Sequence, residues 1–77
     1  MREGTLTRLR NAIAQQEAWM ISCGGSRAGY VARYGSPGTA YCYGNGGEAI
    51  WQADHNELQR LIGRYEKVRR REVPGEF

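Results

Sequence analysis

Arg60, Arg64, Lys67 and Arg71 are the residues of this chain whose type and spacing point most directly to a chemistry. Steps of four, three and four residues put them on one side of any helix that contains them. A fixed row of cations attracts phosphate groups or an acidic protein face. Arg69 and Arg70 widen the positive end, and Glu66 is placed to pair with either. Arg27 and Arg33 add two cations in a stretch, Cys23 to Gly47, that has no acidic residue. The simpler account of the row is a solvated face whose late positive charges suit the helix dipole.

Tyr30, Tyr34, Tyr41, Tyr43 and Trp51 form a second candidate, because strand alternation would place all five on one side of a sheet. Left exposed, that face would stack single-stranded nucleic acid or anchor a protein. Covered by helices, it is the core. Burial is the expectation, since five large aromatics in water would be unusual for so small a protein. The opposite face, with Val31, Arg33, Cys42, Glu48, Ile50 and Gln52, is mixed, as a solvent or partner surface should be.

Cys23, Cys42 and His55 lack the close spacing that marks a metal site or a Cys–His nucleophile, and structural roles are expected for all three. Gly24-Gly25 and Gly44-Asn45-Gly46-Gly47 match neither the phosphate-loop nor the dinucleotide pattern, and turn chemistry accounts for them. Neither a paired-carboxylate site nor a serine–histidine–acid set is visible. No catalytic residue, metal ligand or cofactor is therefore expected, and the chain reads as a binding protein rather than an enzyme.

The elements that must position these residues follow from periodicity. Leu6, Leu9, Ile13 and Met20 have helical spacing, and Ser22 to Gly25 stops the helix, which predicts a helix over 5–21. Alternation and turn signals predict strands at about 29–34, 39–43 and 48–53. Asp54 to Glu57 has capping-box spacing, and Leu58, Leu61, Ile62, Tyr65 and Val68 form an apolar stripe. A second helix over 55–71 and a tail over 72–77 follow. The expected fold is α+β: a single α-β-β-β-α domain with a three-stranded antiparallel sheet and both helices on one face.

At 77 residues the chain has room for one small domain with a limited core. Its net charge of +3 is mildly basic, so the distribution of charge matters more than the total. Met1 to Arg10 contains no apolar run, and two cysteines allow at most one disulfide. A cytoplasmic protein with reduced thiols is expected, without a membrane span.

The block Cys23-Gly24-Gly25, followed by Ala28-Gly29-Tyr30-x-Ala32-Arg33-Tyr34-Gly35, resembles small uncharacterised proteins of phages and other mobile elements. So does Tyr43-Gly44-Asn45-Gly46-Gly47 leading into Ile50 and Ala53-Asp54. The likeness extends over residues 13–62. It implies an accessory protein that acts by binding, with inhibitors of host defence in that class, and it carries no catalytic residues. The expected function is docking on a host macromolecular complex, such as a CRISPR effector or another defence nucleoprotein. Arg60, Arg64, Lys67 and Arg71 would make the contacts, helped by Arg27 and Arg33. The alternative is weakly specific DNA or RNA binding through the same cations. A homodimer is a further partner to consider.

Overall fold

The computed structural model describes residues 4–72. Three helices follow one another: α1 (Thr5–Cys23), α2 (Arg27–Tyr34) and α3 (Gly47–Glu72). The end of α1 and the start of α3 meet around α2, so the two long helices run antiparallel as a hairpin. Leu9 of α1 and Leu61 of α3 are buried, and the Gln16 side-chain amide donates to the Asp54 carbonyl at 2.9 Å.

Glycine builds the closed end of this hairpin. Gly24 and Gly25, both at positive φ, donate to the carbonyls of Ile21 and Met20 and stop α1. Ser26 then caps α2, its hydroxyl accepting from the Gly29 N–H at 3.1 Å. At Gly29 a Cβ would fall on the Gly24 carbonyl, and at Gly47 on the backbone of Tyr30 and Val31. The three helices therefore touch backbone to backbone, an approach that only residues without a Cβ permit. Tyr30 is the largest fully buried side chain, and its hydroxyl donates to Asp54 Oδ2 at 2.8 Å. That bond pins α2 to α3, and Gln16 ties α1 to the same residue.

The expected α+β fold is overturned. Among the described residues there is no strand and no sheet, only an isolated antiparallel bridge between Gly35 and Cys42. The stretch expected as a strand over 29–34 lies in α2. Tyr30 and Tyr34 stand four apart, so one helix face carries them as readily as one strand face, and the Ser26 cap favours the helix. The stretch over 39–43 is loop: the Gly35–Cys42 bridge has no further partner from which to grow a ladder. The stretch over 48–53 is the beginning of α3. The expected capping box does not form, because Asp54 sits inside α3, where its carboxylate accepts from Tyr30 and Glu57 pairs with Arg60.

Other expectations concern the ends and turns. α1 continues two residues past the expected 5–21, and Gly4 holds its N-cap position. The turn expected at Gly44 to Gly47 forms, with Gly46 N–H donating to the Tyr43 carbonyl, and in the loop before it Thr39 N–H donates to the Ser36 carbonyl. Glu72 closes α3; the rest of the expected tail lies outside the described residues.

Candidate functional site

α3 is amphipathic along its length. Ile50, Leu58, Leu61, Ile62, Tyr65 and Val68 are at least half-buried, while Arg60, Arg64, Lys67 and Arg71 are exposed on another side. From Arg60 to Arg71 the row extends about 16 Å along the axis. Its members differ in availability. Arg60 grips Glu57 with two bonds, Nε to Oε1 at 2.9 Å and Nη2 to Oε2 at 2.7 Å. This pairing holds the Glu57 carboxyl below its usual range and raises the guanidinium. Arg64, Lys67, Arg70 and Arg71 make no ion pair among the described residues. The freely offered charge therefore begins at Arg64.

Arg27 and Arg33 belong to the other end of the molecule. The Arg27 guanidinium lies 4.6 Å from the centre of the Trp51 ring, and His55 stacks on the same Trp51 at 4.6 Å with ring planes 15° apart. Arg33 donates to the Ser22 carbonyl at 3.0 Å and lies 5.8 Å from the Tyr34 ring centre. About 30 Å of α3 separates Trp51 from Arg71. The six cations expected as one surface are thus split between two ends. His55 serves the stack rather than a helix start.

The five aromatics do not share a face. Tyr30 is buried and Tyr34 half-buried, their ring centres 5.9 Å apart. Tyr43 follows 5.7 Å beyond Tyr34 but is exposed, as is Tyr41. Trp51 is half-buried under Arg27. Burial raises the Tyr30 phenol well above its usual range, with the Asp54 carboxylate adding to the effect. The Cys23 thiol beside Tyr34, followed by burial, raises that phenol too. Cys23 is buried, Cys42 is exposed, and both are free thiols. Among the described residues, no group of three or more His, Cys, Asp or Glu side chains is placed to hold a metal ion. No helix among them is long and apolar enough to cross a membrane.

Sequence reasoning missed the Gln16–Asp54–Tyr30 network and the exposure of Trp19 and Ile21, which are 56% and 72% accessible. Gln16 could have been noticed: it stands at an inward helical position among Leu9, Ile13 and Met20, where a polar residue needs a partner. The chain matches no family model, no curated protein and no solved structure.

Proposed function

We propose that this protein acts by binding, and that the cationic side of α3 docks it on an acidic surface of a host macromolecular complex, such as a defence nucleoprotein. The observation that supports this reading is the exposed row from Arg64 to Arg71. Arg64, Lys67, Arg70 and Arg71 are held in register by one helix and make no ion pair among the described residues. The row stands on a convex helix face, a shape suited to entering a groove on a partner. Arg60 contributes less, because a partner must first compete with Glu57. Triple charge reversal, Arg64→Glu with Lys67→Glu and Arg71→Glu, should weaken capture of the host complex by tenfold or more while helical circular dichroism is kept. Unchanged capture by a folded triple variant would end this reading.

Direct, weakly specific binding to DNA or RNA is the second reading, favoured by the same exposed cations. Each phosphate contact releases counterions, so four contacts to duplex DNA give a salt slope of about −3.6 in log K against log salt. Fluorescence anisotropy at several salt concentrations measures that slope. Nuclease treatment during host capture separates the two readings: loss with nuclease points to nucleic acid, persistence to a protein surface.

A further inference from the structure

The two long helices each carry two rows of residues at seven-residue spacing. On α1, Leu9, Gln16 and Cys23 form the inner row: Leu9 and Cys23 are buried, and Gln16 is bonded to Asp54. Leu6, Ile13 and Met20 form the second row, and all three are only half-buried. On α3, Gly47, Asp54 and Leu61 form the inner row. Trp51, Leu58 and Tyr65 form the second, again half-buried. Arg27 covers Trp51 at the closed end. Further along, Met20 and Leu58 border the same open groove of about 410 Å³, with Glu17, Ile21 and Gly25 on its rim. Ile21 is 72% exposed there.

Paired heptad rows are the a and d positions that pack one helix on a facing helix and that also line the core of a four-helix bundle; here the second row stays only half-buried within one chain. The described residues supply two long helices, and the short α2 meets α3 only near its start, where Tyr30 bonds to Asp54 and Arg27 covers Trp51. We propose that a second copy of the chain packs its own hairpin on the groove side, completing a four-helix bundle.

Size supports the same occupant. The radius of gyration is 16.4 Å, against about 11.5 Å for a compact domain of this length. The 8.7 kDa chain exposes 5795 Å², roughly 1,000 Å² more than the ~4,700 Å² of a compact monomer of its mass. A standard interface covers about 800 Å² on each partner. Among the described residues that line the groove, only Glu17 is charged. The cationic row lies on another side of α3, so pairing does not press the two cationic rows together. The dimer does not depend on what the cationic side of α3 binds, and its test needs no nucleic acid.

Sedimentation equilibrium of the full chain, from micromolar to millimolar concentration, is the deciding measurement. The apparent mass should move from 8.7 kDa toward twice that value. Ile21→Asp should weaken association by about 10- to 100-fold, the loss expected when one buried aliphatic contact is replaced by a charge. Its helicity should persist, because Ile21 is exposed within one chain. If the Asp variant does lose helicity, Ile21→Ala reads the same contact more gently. Arg64→Glu, on the other side of α3, should leave association unchanged. A mass of 8.7 kDa throughout overturns the proposal. So does association untouched by changes at Ile21, or a monomer that uses Ile21 to hold a different protein.

Discussion

The two ends of the hairpin are built on opposite principles. At the closed end, Gly24, Gly29 and Gly47 let three helices meet backbone to backbone, around a buried tyrosine that is bonded to an aspartate. Arginines there, though exposed, make contacts within the chain: Arg27 covers Trp51, and Arg33 donates to the Ser22 carbonyl at the end of α1. At the open end, α3 offers Arg64, Lys67, Arg70 and Arg71 to solvent without ion-pair partners among the described residues. The same residue type thus makes contacts within the molecule at one end and stands in solvent at the other. The difference lies in what surrounds each arginine, and charge counting alone does not reveal it.

Glycine substitutions should break this comparison most sharply. Gly29→Ala puts a Cβ on the Gly24 carbonyl, and Gly47→Ala puts one on the Tyr30 backbone. Neither clash can be relieved by turning a side chain. Overpacking of this kind costs about 3 kcal/mol, a large fraction of the stability of a small domain. Urea unfolding should show a much lower midpoint for either variant, or no cooperative transition at all. A near-native midpoint for both would mean that the helices can separate freely, and the closed end would lose its claim to be the anchor of the fold.

The same glycines explain what could be read in advance. The spacing of Leu6, Leu9, Ile13 and Met20 made α1 legible almost to its ends, and the stripe from Leu58 to Val68 did the same for the later part of α3. The start of α3 was obscured, because Asp54 and Glu57 have the spacing of a cap while Asp54 is in fact recruited by Tyr30 from another helix. The middle was misread for a related reason. Glycine density signals turns, and Gly35, Gly38 and Gly44 do adopt positive φ in the loop. Gly29 and Gly47 instead lie within helices and serve close packing, which leaves no local signature in sequence. Spacing also placed Arg60, Arg64, Lys67 and Arg71 on one exposed side of a helix. It could not show that Glu57 would engage Arg60, or that Arg27 would lie over Trp51.

A smaller effect is expected at Tyr30. Tyr30→Phe keeps the ring and removes the bond to Asp54. A hydrogen bond to a charged group contributes about 2 kcal/mol, so the variant should be less stable by that order at neutral pH. The pH dependence carries a sign. Burial first, and then Asp54, raise the phenol in the folded state above its ordinary value of 10.0. The neutral phenol is therefore favoured by folding, and its contribution is complete below pH 10.0. Above that pH the unfolded chain releases the proton while the folded chain retains it, so stability falls as pH rises. The wild type should lose stability from about pH 10 upward more steeply than Tyr30→Phe, narrowing the gap between them. Urea midpoints at neutral and alkaline pH measure this directly. Parallel pH profiles would remove Tyr30 as the titrating group.

The mildest change sharpens the comparison from the open end. Gly63 lies within α3, exposed, and a Cβ there meets nothing within 4 Å. Alanine at an open helical site is better than glycine by about 1 kcal/mol, because the unfolded chain has less freedom to lose. For a domain of this size that corresponds to a rise of about 4–8 °C in melting temperature, measured at fixed protein concentration. The substitution made at Gly29 and at Gly63 should therefore act with opposite sign. Gly63 also lies next to Arg64, at the beginning of the freely offered cations. If the row meets its partner on a straight α3, Gly63→Ala should leave affinity for duplex DNA or the host complex unchanged. A variant that is more stable yet binds several-fold more weakly would mean that α3 bends at Gly63 when it docks. The open end would then owe its function to flexibility as well as to charge.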